Sequence, residues 1–161
     1  MFPTPATALR ELPAAVHLPQ GARILDAGSG LGHAMVALRY AFPAAHVEGV
    51  EGSLAWVMCS RLYLLAGPFR ARADGGVRHG DMWAVKWTGF SLVYLFQRPE
   101  SMARAWQKAR DELPSGSWLV SLEFEVPGKP ATKRLACPDG RPLWIYRVPT
   151  LQDSVPGPLG R

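Results

Sequence analysis

Cysteines and long apolar runs are scarce in this chain of 161 residues. The two cysteines, Cys59 and Cys137, lie far apart and match no metal-ligand spacing, so neither a disulfide framework nor a metal site is predicted. No apolar run is long enough to span a bilayer, and the apolar N-terminus is interrupted by Pro3, Pro5 and Pro13. These absences favour a cytoplasmic protein without a transmembrane segment.

Basic runs interleaved with aromatic residues are also missing, although the formal net charge is +5. Nearly all of the basic charge is arginine, and it is scattered along the chain. A solvated basic surface is therefore the favoured interpretation, and no specific nucleic-acid module is predicted. On charge alone, acidic proteins, membranes and nucleic acids all remain open as partners.

The chain has the composition of one globular domain. Its hydrophobic fraction is 48% and its charged fraction is 19%, and its length leaves no room for a separate substrate domain. We predict a single domain over residues 1–150. The last residues, 151–161, contain Pro156 and Pro158 and are expected to form a disordered tail.

The most informative stretch present is residues 24–32, with the sequence ILDAGSGLG. An apolar pair is followed by the acid Asp26 and then by three glycines two apart, Gly28, Gly30 and Gly32. Glycine accepts positive φ, and its missing Cβ lets a ligand lie directly on the backbone. We therefore predict a strand, a glycine turn that binds a cofactor, and the start of a helix.

Two residues indicate which cofactor this turn suits. The dinucleotide fingerprint is G-x-G-x-x-G, but here the third glycine comes one residue early and His33 stands in the last glycine position. The carboxylate of Asp26 would repel a pyrophosphate, whereas it suits the ammonium group of S-adenosylmethionine and its neighbouring sulfonium. The pattern therefore argues against NAD and FAD.

Hydrophobic periodicity predicts alternating strands and helices through the first four-fifths of the chain. Strands are expected at 22–26, 46–51, 90–96 and 118–126, with a short strand running into a turn over 77–83 and helices at 6–16, 32–42, 53–66 and 99–113. Residues 132–148 contain a D-G turn and predict a β-hairpin. The fold class is thus α/β: a mostly parallel sheet with a C-terminal antiparallel hairpin, covered by helices in a three-layer sandwich.

Acids follow two further strands of this predicted sheet. Ligands of open α/β sheets bind at the carboxyl ends of the strands, so strand-end residues are the candidates for binding. Glu51 ends the second strand about twenty residues after the glycines, where a carboxylate accepts hydrogen bonds from both ribose hydroxyls. Asp81 follows the third strand, and the run from Phe96 to Pro99 follows the fourth.

The pattern D-x-G-x-G-x-G after an apolar strand resembles motif I of the class I S-adenosylmethionine-dependent methyltransferases, whose sheet is Rossmann-like. Over most of residues 2–148 the chain is similar to a narrower group, the small enzymes related to the lysine methyltransferase of the ATP synthase c subunit. The shared features are P-T-P around Thr4, motif I, E-G-S from Glu51, D-x-W from Asp81 to Trp83, and aromatic-x-x-P from Phe96 to Pro99, before a helix with Met102.

This resemblance implies a cofactor, a set of binding residues and an acceptor. S-adenosyl-L-methionine is the implied cofactor, with Asp81 and the backbone N–H of Met82 at the adenine; its full set of binding residues would be Asp26, Gly28, Gly30, Gly32, Glu51, Asp81 and Met82. The implied substrate-site candidates are Thr4, Trp83, Gln97 and Pro99. The implied methyl acceptor is a protein lysine, and Trp83 has a second interpretation as a core residue at the rim.

No catalytic acid or base is predicted. Methyl transfer is an in-line displacement at an activated carbon, so the site mainly holds the reactants together and excludes water. The four histidines are isolated and form no arrangement for covalent catalysis. A small-molecule methyltransferase, a nicotinamide oxidoreductase and a non-catalytic cofactor-binding module remain as alternatives.

Overall fold

A computed structural model describes Thr4 and residues 9–66 and 76–149. The expected tail at 151–161, the first part of the helix expected at 6–16, and the other members of the N-terminal P-T-P segment lie outside the described residues. The elements, in chain order, are α1 (Leu12–Ala15), β1 (Arg23–Ala27), α2 (His33–Ala41), β2 (His46–Glu51), α3 (Leu54–Ala66), β3 (Val77–His79), β4 (Leu92–Leu95), a 3-10 turn (Pro99–Ser101), α4 (Met102–Glu112), β5 (Trp118–Leu122), β6 (Lys133–Ala136) and β7 (Pro142–Arg147).

The seven strands form one sheet in the order β3-β2-β1-β4-β5-β7-β6. The first five are parallel to one another, and β7 runs antiparallel to both β5 and β6. The last two strands make the predicted hairpin, in which Gly140 donates its N–H to the Cys137 carbonyl at 2.8 Å. The strand order reverses between β1 and β4, which places the ligand site of such a sheet at that point.

Alternating side chains on the central strands supply a hydrophobic core on each face of the sheet. On β4, Leu92 and Tyr94 pack on the face that α1 and α2 cover, while Val93 and Leu95 pack on the face that α4 covers. All four residues are fully or almost fully buried. The predicted α/β three-layer fold is therefore confirmed.

The fifth strand is shorter than its pattern predicts. It was expected to reach residue 126, but β5 ends at Leu122, where Glu123 adopts φ +74°. There the Phe124 N–H bonds the Leu122 carbonyl at 3.0 Å, which turns the chain out of the sheet. Local turn formation has overridden a pattern that would also suit an extended strand.

Helix α3 forms where the period predicts it, but most of its apolar stripe faces solvent. Leu54, Met58, Leu62 and Leu65 are exposed, and the helix buries Val57 together with Ser60. Because Leu64 and Ser60 pack beside Gly32 at the start of α2, the opposite side of the helix is left uncovered. None of the helices in the described part of the chain has both the length and the apolar character needed to cross a membrane.

Candidate functional site

A cleft of about 860 Å³ lies at the carboxyl ends of the parallel strands. It opens where the strand order reverses, as expected for an open α/β sheet. The cleft brings together residues from the N-terminal segment, the glycine turn, β2, the turn after β3, and β4. Among its lining residues are Thr4, Asp26, Gly28, Gly30, Glu51, Asp81, Met82 and Gln97.

The glycine turn forms one wall of the cleft and is held by β2. The N–H groups of Gly28 and Ser29 both donate to the Val50 carbonyl, at 2.9 and 3.0 Å. Gly28 has φ +85°, and a Cβ built on it would collide with the amide nitrogen of Gln97. Gly30 has φ +51° with open space beside it, so the turn leaves room for a ligand against the backbone.

Asp26 is a buried acid of β1 that lines the cleft just before the glycine turn. It is 2% exposed, and its Oδ2 atom has no hydrogen-bond partner among the described residues. Loss of hydration raises the pKa of Asp26 to about 8, and the negative charge of Glu51 contributes to the same rise. An uncompensated buried carboxyl group is unfavourable unless a partner arrives, and a cationic ligand would supply one.

Glu51 connects two walls of the cleft. Its Oε2 atom accepts the Gly30 N–H at 2.9 Å, and its Oε1 atom accepts the Ser53 N–H at 2.8 Å. The carboxylate therefore ties the glycine turn to the start of α3. Each oxygen has a second lone pair, so both can accept another hydrogen bond from a ligand in the cleft.

The turn after β3 carries Asp81 and Met82. Asp81 is exposed at the rim, and its Oδ1 atom accepts the Trp83 N–H at 2.9 Å. Met82 is buried and lines the cleft. The turn is joined to β2, because Gly80 donates its N–H to the Glu51 carbonyl at 3.0 Å. This arrangement provides a carboxylate and an apolar surface at one end.

The other end of the cleft contains neutral polar and aromatic groups. The hydroxyl groups of Thr4 and Tyr94 are hydrogen-bonded at 3.0 Å, and both residues are buried. Gln97 lies after β4, where its Nε2 atom is 3.5 Å from the Ala27 carbonyl, a weak contact. Phe96 lines the same end and stacks on Phe124, with ring centroids 6.4 Å apart.

Three residues predicted for the site lie outside the cleft lining. Gly32 is the N-cap of α2, with φ +84°, and packs against α3. Trp83 packs on the α4 face, where the Arg104 guanidinium lies 4.2 Å from its ring centroid. Pro99 is exposed and begins the 3-10 turn. Gly32 and Pro99 therefore serve the starts of their helical segments, and Trp83 serves packing against α4.

The cleft also includes residues that the sequence pattern did not propose for the site: Ser29, His33, Trp56, His79 and Tyr94. Tyr94 was hidden within an apolar strand, and its hydroxyl was the one available signal. His33 and Trp56 belong to the first turns of α2 and α3, which topology brings to the same edge. No cluster of three potential metal-binding side chains occurs in the described parts of the chain.

Comparison with protein-family models decides the family. Residues 26–133 match the model described as the ANTKMT methyltransferase domain. This chain belongs to that methyltransferase family. It is an S-adenosylmethionine-dependent methyltransferase, and S-adenosyl-L-methionine is its cofactor. No curated protein sequence matches the chain.

Solved structures with the same fold include several methyltransferases. An RNA methyltransferase from Salinibacter ruber in complex with S-adenosyl-L-homocysteine has a TM-score of 0.79 and 19% identity, over 99% of this chain and 100% of that one. The glycopeptide N-methyltransferase MtfA complexed with S-adenosyl-L-methionine has a TM-score of 0.58 and 17% identity, over 92% and 68% of the two chains. The pyocyanin biosynthetic protein PhzM has a TM-score of 0.69 and 14% identity, over 88% and 54%. At these identities the likeness shows a shared fold.

The residues of the cleft fit the cofactor of this methyltransferase family. The unpartnered carboxyl oxygen of Asp26 suits an ammonium group, and the open space beside Gly30 suits a ligand lying on the backbone. Glu51 and Asp81 present acceptors for hydroxyl and amino groups. We propose these residues, with Gly28 and Met82, as the cofactor-binding set.

Proposed function

We propose that this methyltransferase modifies a lysine side chain of a protein. The observation that carries the proposal is the charge of the cleft. Its described lining contains the acids Asp26, Glu51 and Asp81 but neither lysine nor arginine, although the chain as a whole has a formal net charge of +5. The carboxylates of Glu51 and Asp81 attract a cationic side chain and repel a phosphate backbone, whereas burial keeps Asp26 protonated at pH 7 in the free protein.

An arginine near Phe96, at the end of the cleft that we propose for the acceptor, is already ion-paired. Arg141 lies under Phe96, with its guanidinium carbon 5.5 Å from the ring centroid. Its Nη2 atom forms an ion pair with the Asp139 carboxylate at 2.7 Å, which lowers the pKa of Asp139. This pairing reduces the attraction that the arginine would otherwise exert on an anionic substrate.

Two more acids follow the neighbouring strand β5. Glu123 and Glu125 come directly after its carboxyl end, beside the end of β4. The φ of +74° at Glu123 is unfavourable for a residue with a side chain, by about 1–3 kcal/mol. The conformation is held by hydrogen bonds from its N–H to Pro142 (2.8 Å) and from the Trp144 indole to its carbonyl (3.1 Å). We infer that Glu123 helps to attract the lysine.

The proposed chemistry asks little of the protein beyond placement. When bound, S-adenosylmethionine supplies an activated methyl group on a sulfonium. The rings of Tyr94 and Phe96 offer an apolar surface that favours the neutral form of an entering amine. The side-chain carbonyl of Gln97 is suited to accept one amine hydrogen and so to direct the nitrogen lone pair at the methyl carbon. The entering ammonium group would first lose one proton to water; the nitrogen–carbon bond would then form as the sulfur–methyl bond breaks, with S-adenosylhomocysteine as the leaving group.

The acceptor class can be tested with radiolabelled cofactor and a cell extract. Purified protein is incubated with extract that has been treated either with protease or with nuclease, and labelled material is separated by size and analysed by mass spectrometry. We expect label on protein, at lysine, that survives nuclease. A second portion of extract, acetylated beforehand so that its lysines become amides without a nucleophilic lone pair, should accept no label.

The proposal fails if label survives protease and disappears with nuclease, or if it is found in small molecules alone. Once an acceptor is known, Glu123→Gln should raise its KM roughly three- to tenfold, as expected for loss of a partly solvated charge contact. The affinity for S-adenosylhomocysteine should not change. Asp111→Asn, on the exposed side of α4, serves as the matched charge control.

A further inference from the structure

The outer face of α3 has an unusual composition. At about 100° per residue, the solvent side of the helix spans roughly 200° and contains only leucine, methionine, tryptophan, tyrosine, alanine and Cys59. The larger side chains are exposed as follows: Leu54 61%, Trp56 47%, Met58 53%, Leu62 66%, Tyr63 42% and Leu65 59%. We call these six residues the α3 outer face.

The two polar residues of α3 lie outside this face, Ser60 in the core and Arg61 at the border of the face. Ser60 is buried and donates its hydroxyl hydrogen to the Val57 carbonyl at 2.9 Å. Arg61 donates from Nε to the Val77 carbonyl of β3 at 3.0 Å. A surface helix ordinarily presents its charged side to water and its apolar side to the core. Because α3 packs Val57 and Leu64 on the core and also presents leucines and aromatic side chains to water, its outer face is suited to contact a second apolar phase.

Basic residues border this face, and acids are absent from the helix. Over Leu54–Ala66 the only charged residue is Arg61, which lines a shallow groove with Arg78 and the ion-paired Arg23. The net charge of +5 opposes association of two copies of the chain but favours an anionic surface. Aromatic and aliphatic side chains next to arginines are the pattern of helices that lie in a membrane interface.

We propose that the α3 outer face docks on an anionic lipid bilayer, with the helix lying in the plane of the interface. The 13 residues of α3 span about 20 Å, which is shorter than the roughly 30 Å of a hydrocarbon core, so the helix can lie on a bilayer but cannot cross it. Leu62 and Leu65, among the most exposed, enter the acyl boundary. Arg61 and Arg78 lie near the headgroups.

This docking surface adjoins the cofactor cleft. Trp56 belongs to both, and the ring of Tyr63 lies 5.0 Å from that of His33, another lining residue. A bilayer contacted by α3 therefore lies beside the cleft opening. The surface brings the enzyme to acceptors at the lipid surface, whatever the chemical class of those acceptors.

Vesicle sedimentation tests the docking with the full chain. Vesicles of pure phosphatidylcholine are compared with vesicles in which about a third of the lipid is phosphatidylglycerol. We expect binding to the anionic vesicles, weakened roughly tenfold or more by Leu62→Gln/Leu65→Gln, since two exposed leucines lose their insertion energy. Arg78→Gln should weaken it less, and Arg110→Gln on α4, with the same change of charge, should not.

The leucine, Arg78 and Arg110 variants change exposed residues outside the cleft lining, so their melting temperatures and affinities for S-adenosylhomocysteine should match those of the parent. As a second measurement, brominated lipids should quench tryptophan fluorescence in the parent and not in Trp56→Phe. Failure of the parent to bind anionic vesicles overturns the proposal, as does equal binding by the double leucine variant. A third outcome would assign the face to a second copy of the chain instead. In that case the parent does not bind vesicles, sedimentation equilibrium shows that it is a dimer, and the double leucine variant is a monomer.

Discussion

Thr4 and Tyr94 join their hydroxyl groups at 3.0 Å although they are 90 positions apart in the sequence. Tyr94 is in the middle of the sheet and Thr4 is near the start of the chain, so this bond ties Thr4 to the sheet at the cleft. Burial raises the pKa of the Tyr94 hydroxyl well above its usual value, which keeps the hydroxyl protonated and able to donate. The contact therefore places Thr4 at the end of the cleft that Tyr94 and Phe96 line.

Removing the hydroxyl group of Tyr94 or of Thr4 should lower the free energy of unfolding. Tyr94→Phe leaves the buried Thr4 hydroxyl without its partner, at a cost of about 1–3 kcal/mol in the free energy of unfolding. Thermal melts of Tyr94→Phe, Thr4→Val and the double variant measure the coupling, which should be about 1 kcal/mol. Tyr146→Phe is the control for the loss of a tyrosine hydroxyl group elsewhere in the fold, because the Tyr146 hydroxyl accepts the Val126 N–H and not a bond from Thr4. If the losses in the free energy of unfolding of the two single variants add up to that of the double variant, the contact contributes nothing to stability.

Cofactor binding should release a proton from Asp26. With its pKa raised to about 8, this carboxyl group is protonated at pH 7 in the free protein, whereas an ammonium partner needs it ionised. Affinity for S-adenosylhomocysteine should therefore rise with pH up to about 8 and then level. Calorimetry at pH 7 in two buffers of different ionisation enthalpy counts the proton. Identical enthalpies in the two buffers would contradict this assignment.

Asp26→Asn should separate stability from binding. The unfolded state loses the carboxyl proton near pH 4 and the folded state near pH 8, so the stability of the ligand-free protein falls as pH rises between these values. The amide removes that loss, and the variant should be more stable than the parent at pH 8, on the order of a few kcal/mol. Its affinity for S-adenosylhomocysteine should drop at least tenfold. Urea melts at pH 4 and pH 8 check the first effect, and a parent whose stability does not fall over this range would rule it out.

Glu51 should prove necessary for both the cofactor and the glycine turn. Glu51→Gln keeps the size of the side chain but removes its charge and two acceptor sites, so cofactor affinity should fall roughly 10- to 100-fold, for about 1.5–3 kcal/mol. Glu51→Ala should also increase amide hydrogen exchange at Gly30 and Ser53, whose N–H groups it accepts. Glu48→Gln, on the same strand but paired with Arg23, should leave affinity unchanged. A melt that collapses while the folded fraction binds normally would make Glu51 structural.

Asp81→Asn tests the other end of the cofactor site. The asparagine carbonyl can still accept the Trp83 N–H, so the turn should persist while the charge is lost. We expect cofactor affinity to fall about three- to tenfold, with a melting temperature near that of the parent. Binding of adenosine alone should weaken by the same factor, since the effect is placed at the base. An adenosine affinity equal to that of the parent would move Asp81 out of the adenine role.

The sequence by itself determined the order of strands and helices along the chain and the residue types at the strand ends. Strand, glycine turn and helix follow from the pattern around Asp26 and Gly28, because positive φ and close backbone approach require glycine there. The acids at 51 and 81 could be assigned to one edge of the sheet, since parallel strands end on the same side. The hairpin followed from the D-G turn.

Tertiary structure alone decided which residues share the cleft and which way a helix faces. The bond between Thr4 and Tyr94 joins residues 90 positions apart, and no local pattern encodes a contact of that range. The pKa of Asp26 depends on desolvation, which exists only once the helices cover the sheet. The apolar period of α3 predicted a helix, but it did not predict the rotation of the helix about its axis, which decides the side that faces the core. That rotation was set by the packing of Ser60 and Leu64 beside Gly32, and it left the leucines of the outer face in contact with solvent.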